Sequence, residues 1–279
     1  MAAALVCGGA GRAHAALPDV SHTKAALRIE TSTVHPGSTA WVGIELTMEP
    51  GWHTYWINPG DAGLPTTVRW QLPDGFAAGE LQWPAPKRVE VGDAVSYGYE
   101  DRVVLLVPIT VSAEVSTETT VHLAGRVSWL ECGELCVKGA ADVEADVPIE
   151  PIVPEPDPRW SAAFDQARAQ LPKPPTGWTI RAVSNSRGLA VELTPPPGAL
   201  PTLPSRATVF PIEQALIDHR AAQAVAKTPT GFRIQLLKSR FSIATPSRLR
   251  GVVVLEQAAG ALPLAIDVPI QPAPWWRAW

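Results

Sequence analysis

Trp41-Val42-Gly43-Ile44-Glu45-Leu46-Thr47-Met48 carries an apolar side chain at every even position. A period of two is that of a half-buried strand, because successive side chains of an extended chain point to opposite faces. The same spacing recurs further along the chain. Val68, Trp70 and Leu72 share one face of 67–72, and Val121, Leu123, Val127 and Trp129 share a row with Gly125. Val143, Ala145, Val147 and Ile149 close the block. Glu49-Pro50-Gly51, Asn58-Pro59-Gly60-Asp61 and Pro73-Asp74-Gly75 supply the turn chemistry between strands.

Composition agrees with strands rather than helices. Proline makes up 29 of the 279 residues, and each proline removes a backbone donor and clashes with the preceding helical turn. At 46% hydrophobic residues the chain can bury a sizeable core. Charged residues are 18% and the net charge is −4, so no basic surface invites nucleic acid. No uncharged apolar run is long enough to span a bilayer.

The stretch from Glu150 to Pro158, EPIVPEPDP, reads as an extended, semi-rigid linker. A short helix follows, with Phe164, Ala167 and Leu171 at helical spacing and Pro172 ending it. Lys173-Pro174-Pro175-Thr176-Gly177 then opens a second β block. Its strands include 178–180, 189–193, 232–236, 252–255 and 262–268. Several strands per block at short spacing imply two β-sandwiches in tandem rather than one barrel. The expected division is a leader at 1–16, a first domain at 17–150, a linker with a helix at 151–175 and a second β domain at 176–279. The aromatic tail Pro274 to Trp279 is expected to dock on a domain.

Met1 to Ala16 is small and apolar and ends in Ala13-His14-Ala15, the pattern of a cleaved signal peptide. Cleavage removes Cys7 and leaves Cys132 and Cys136 in an oxidising compartment. A disulfide needs Cα atoms about 4.4–6.8 Å apart, whereas four residues of straight strand cover roughly 13 Å. The chain must therefore reverse between the two. A loop of Gly133-Glu134-Leu135 sets Cys132 opposite Cys136 in a hairpin, with Gly133 expected to supply a positive φ.

Three uses of the pair stand open: a structural staple, a metal site and redox exchange. So short a loop gives about 2 kcal/mol in the chain-entropy model, a weak reason for the only two mature cysteines. Two thiolates are half of a tetrahedral zinc site, and nothing in the sequence brings His53 or His122 to them. Exchange is favoured, with no metal and no cofactor. Glu131 and Glu134 beside the thiols would raise their pKa values and Lys138 would lower them, which describes a carrier that reacts when docked.

The segments Pro50-Gly51-Trp52-His53-Thr54-Tyr55-Trp56-Ile57-Asn58-Pro59-Gly60-Asp61-Ala62-Gly63-Leu64-Pro65, Gly98-Tyr99-Glu100, and Val127 through Cys136 resemble a known family. It is that of the periplasmic N-terminal domain of the thiol:disulfide interchange protein DsbD, and the likeness is to the ScsB-like branch, named for suppression of copper sensitivity. The resemblance implies two tandem immunoglobulin-like domains and a periplasmic location. It implies a relay of reducing equivalents through Cys132 and Cys136 to thioredoxin-fold or other disulfide proteins. It also implies that Cys136 makes the bond to the partner, and that a loop shields the pair. The matching loop is Asn58 to Leu64, with Asn58, Asp61 and Leu64 in the cap and Tyr55, Trp56 and Tyr99 lining the pocket beneath. The membrane and thioredoxin domains of that family have no counterpart in the sequence, so the expectation is either a solitary carrier served by a separate membrane electron-transfer subunit or a truncated gene product. The competing reading is a non-enzymatic envelope module, binding copper or a protein, with a structural disulfide. Against copper, Met48 is the one methionine left after cleavage.

Overall fold

The computed structural model describes residues 21–186, 188–198, 203–258 and 260–273. The expected leader, Cys7 and the aromatic tail lie outside them. The first ten strands are β1 (Thr23–Ile29), β2 (Thr39–Met48), β3 (His53–Gly60), β4 (Thr67–Gln71), β5 (Phe76–Ala78), β6 (Lys87–Val91), β7 (Ala94–Glu100), β8 (Arg102–Val111), β9 (Thr119–Cys132) and β10 (Cys136–Ile149). They form two antiparallel sheets, ordered β1-β2-β8-β5 and β10-β9-β3-β7-β6, with β4 also paired to β9.

The two sheets close on one core. Val42, Ile44 and Leu46 of β2 face Leu123 and Val127 of β9 and Trp56 of β3. The alternation read from 41–48 is thus the inward face of β2. β8 behaves differently: Val103 through Val107 are all buried. Val103, Leu105 and Val107 enter the sandwich core, while Val104 and Leu106 point outward and need a second cover. The helix α1 (Ser161–Gln170) supplies it through Phe164 and Ala167. Gly43 on β2 makes room, since a Cβ there would lie 3.3 Å from the Phe164 ring. Arg168 holds the helix by an ion pair with Glu30. The proline-rich segment before α1 is stitched to the end of β1, where Asp157 N–H donates to the Glu30 carbonyl at 2.8 Å.

The remaining strands are β11 (Thr179–Ser184), β12 (Gly188–Thr194), β13 (Arg206–Pro211), β14 (Ala224–Thr228), β15 (Gly231–Leu237), β16 (Arg248–Gln257) and β17 (Gly260–Pro272). Their order is β13-β16-β17-β11-β12-β15-β14. β17 pairs antiparallel with β16 through Pro269 and then parallel with β11 from Ile270, so one long strand feeds both layers. Leu189, Val191, Val209, Ile234, Val253 and Leu255 form their core. The architecture is all-β, in two immunoglobulin-like sandwiches.

The sandwiches meet over a buried aromatic contact. Phe210 of β13 packs edge-on against Tyr97 at 4.9 Å and Trp56 at 6.4 Å. His219 is buried here, with Nδ1 2.7 Å from the Tyr97 hydroxyl and Nε2 without a hydrogen-bond partner. Burial pushes the His219 pKa down; Asp61 and Asp218 oppose this, and Arg88 adds to it. His53, buried in β3, is pushed down in the same way against an opposing Glu100. A depressed histidine pKa means the unfolded chain binds more protons, so stability falls as pH drops through the ordinary histidine range, below about 6.5. Urea midpoints should therefore be lower at pH 5 than at pH 7.5, and His219→Gln should narrow that difference.

Candidate functional site

β9 and β10 are one long hairpin whose register pairs Cys132 with Cys136. The two cysteines form a disulfide, with Cα atoms 4.1 Å apart. The three-residue tip Gly133-Glu134-Leu135 is closed by Gly133 N–H donating to the Leu135 carbonyl at 3.0 Å. Gly133 is not among the residues with positive φ, contrary to expectation. Glycine is needed there for space: a Cβ would sit 3.1 Å from the Trp52 indole and 3.2 Å from the Gly51 carbonyl. Trp52 in turn stacks on His22 at 3.8 Å.

The two sulfurs differ in access. Cys132 is buried and Cys136 is exposed. The Tyr55 hydroxyl donates to Cys132 Sγ at 2.7 Å and lies 3.9 Å from Cys136 Sγ. Burial pushes the Tyr55 phenol pKa up, partly offset by a Ser96 hydrogen bond, so it stays a proton donor. His53 is opposite Cys132 in the β3–β9 register and opposite Glu100 in β7. Its ring meets Tyr55 edge-on at 5.1 Å, and its Nε2 has no hydrogen-bond partner. The fold thus brings His53 to the cysteines, which the spacing in the sequence gives no means of reading. His122 lies elsewhere, on an exposed pair with Asp146.

The charges near the thiols are arranged differently from the expectation. Glu131 is fully buried and turned to the opposite face from Cys132. It accepts hydrogen bonds from the Ser21 hydroxyl, the His22 N–H and the Trp129 indole N–H. It ties the start of the described chain to the hairpin and does not face the sulfurs.

The segment expected to cap the site divides into two parts. Asn58, Pro59 and Gly60 belong to β3, so the loop proper begins at Asp61. Asn58 points away from the cysteines and hydrogen-bonds the second domain. Asp61 Oδ2 accepts from Val95 N–H at 2.8 Å, fixing the turn on β7. Gly63 lies over the Tyr55 ring, so closely that a Cβ would be 2.3 Å from it. Leu64 is half exposed and borders a groove with Thr67, Ser128, Trp129 and Lys138. Trp56 and Tyr99 do not line the pocket. Alternation along β3 turns Trp56 into the core, and Tyr99 is buried with its hydroxyl donating to the Pro84 carbonyl at 2.7 Å.

The fold and site together define an all-β, two-domain chain that carries a disulfide at a hairpin tip beneath a tyrosine. Residues 21–148 match the family model of "Thiol:disulfide interchange protein DsbD, N-terminal", so the first domain is similar to that family. The N-terminal periplasmic domain of ScsB from Proteus mirabilis is similar in fold: TM-score 0.64 at 17% identity, covering 91% of this chain and 96% of that one. The reduced DsbD N-terminal domain of Neisseria meningitidis matches at 14% identity over 43% of this chain and 82% of that one, with a TM-score of 0.25. No curated protein matches the chain. Among the described residues no helix is long and apolar enough to cross a membrane.

Two measurements test this geometry. The bond closes a loop of only a few residues, so its reduction should lower unfolding stability by about 2 kcal/mol or less. Global unfolding on adding reductant would contradict that. In the reduced protein a Tyr55 hydrogen bond favours the Cys132 thiolate, so Tyr55→Phe should move the thiolate absorbance titration up by about one pH unit.

Proposed function

We propose that the chain carries out thiol–disulfide exchange in the periplasm, with Cys132 and Cys136 as its catalytic pair, passing reducing equivalents to partner disulfide proteins. The observation that carries this reading is the unequal pair: an exposed Cys136 joined to a buried Cys132 that is held by Tyr55. The family match over residues 21–148 supports it. An inert staple has no need of one accessible sulfur and one guarded one.

In the proposed cycle a donor dithiol first reduces the Cys132–Cys136 bond. The Cys136 thiolate then attacks a partner disulfide, forming a Cys136–partner bond and releasing one partner thiol. Cys132 loses its proton and attacks Cys136 Sγ, which re-forms the internal disulfide and releases the second partner thiol. Two electrons pass to the partner, and the two thiol protons of the pair end on the partner's thiols. The Tyr55 hydroxyl supports the Cys132 thiolate in the second step. The loop from Asp61 through Leu64 is the lid that keeps Tyr55 over the sulfur until a partner docks. Leu135, 74% exposed at the hairpin tip beside Cys136, offers that partner an apolar contact. The partners are thioredoxin-fold or other disulfide proteins.

Cys132→Ala should accumulate a mixed disulfide with a periplasmic protein on non-reducing gels, whereas Cys136→Ala should not. The reverse pattern would exchange the two roles. A reduction potential below about −300 mV, together with no trapped partner, would instead indicate an envelope module with a structural disulfide.

A further inference from the structure

We infer that the second domain positions the lid over the cysteine pair, and that Asn58 is the positioning residue that joins them. The inference rests on the exchange function proposed above. Asn58 is polar yet fully buried. Its side chain reaches in two directions. Nδ2 donates to the Pro211 carbonyl of the second domain at 2.7 Å, with a longer contact to the Glu213 carbonyl at 3.4 Å. Oδ1 accepts from the Gly60 N–H of its own strand at 3.1 Å.

From Gly60 the chain is constrained step by step to the sulfur. Gly60 has φ +88°, and a Cβ there would lie 2.5 Å from the Val95 carbonyl, so this position requires glycine. Asp61 N–H donates to the same carbonyl at 3.0 Å while its carboxylate accepts from Val95 N–H at 2.8 Å. Two residues later Gly63 sits on the Tyr55 ring, whose hydroxyl holds Cys132 Sγ. Trp56, two residues before Asn58, grips Phe210 of the second domain on the same side of β3. The end of β3 is therefore anchored to the second domain, and the lid begins at that anchor.

Asparagine suits the task because one amide supplies a donor to the neighbouring domain and an acceptor to its own backbone. Alanine would remove the partner of the buried Pro211 carbonyl and of the part-buried Gly60 N–H. Aspartate would keep the acceptor and lose the donor, setting a carboxylate against two carbonyl oxygens.

The test uses the full chain in its reduced state, with Asn58→Ala, Asn58→Asp, Phe210→Leu, Tyr55→Phe and the Asn58→Ala/Tyr55→Phe double variant. The readouts are the rate at which iodoacetamide alkylates the guarded Cys132, followed on its own peptide by mass spectrometry, and the pH titration of thiolate absorbance. Asn58→Ala should speed alkylation about fivefold, as expected for one lost buried hydrogen bond. It should also move the thiolate titration in the same direction as Tyr55→Phe. Phe210→Leu, far from the sulfurs, should act in the same sense and serves where an Asn58 variant fails to fold. The double variant should titrate as Tyr55→Phe does, because both changes act through one hydroxyl. If Tyr55→Phe shifts the titration while Asn58→Ala, Asn58→Asp and Phe210→Leu leave both readouts unchanged, the second domain does not position the lid. If Tyr55→Phe itself has no effect, the proposed role of the tyrosine in exchange fails first.

Discussion

The register of the β9–β10 hairpin is the constraint on which the site depends. Pairing Cys132 with Cys136 across a three-residue tip sets the sulfurs within bonding reach without distorting the ladder. The same register runs from the tip to Ile149 opposite Thr119, so it is fixed by the whole length of the strands. A slip of one residue would turn Leu123, Val127 and Trp129 out of the core and bring Glu131 to the cysteine side. The hydrophobic cost of that slip is what holds the sulfurs in place. The disulfide is a consequence of the register rather than its cause.

This division explains why the bond can serve exchange. A cross-link that organised the fold would carry much of its stability and could not be opened freely. Here the sandwich core, with Val42, Ile44, Leu105 and Leu123 fully buried, forms from both sheets without reference to the cysteines. The short loop contributes little unfolded-state entropy. The contacts that hold the tip, Trp52 against Gly133 and Glu131 to Ser21 and His22, are made without the sulfur atoms.

The sequence made some strands legible and hid others for physical reasons. β2 and β9 are buried on one face and show alternation. β8 is buried on both faces, because α1 covers Val104 and Leu106, and a continuous apolar run carries no period. The hairpin at the cysteines followed from bond geometry alone. The contribution of Tyr55 and His53 could not follow from spacing, since it depends on β3 lying beside the end of β9. By sequence Gly133 reads as a conformational glycine; in the fold it is a packing one, a distinction that requires knowing where Trp52 falls. Asn58 and Pro59 read as turn residues, yet they continue β3. The buried partner that holds them there is a carbonyl more than 150 residues away in sequence.

β3 shows how fold and chemistry share one strand. Its alternating side chains split into two sets: Thr54, Trp56 and Asn58 face the core and the second domain, while His53 and Tyr55 face the sulfurs. Because neighbours along a strand point to opposite faces, each set can be altered with limited direct contact to the other. The coupling that remains is through the backbone. A change in Trp56 or Asn58 shifts the strand that presents Tyr55, whereas a change in Tyr55 leaves the core packing of Trp56 in place. The dependence therefore runs from structure to site: the second domain and the core determine where the tyrosine hydroxyl sits, and the hydroxyl sets the environment of the buried sulfur.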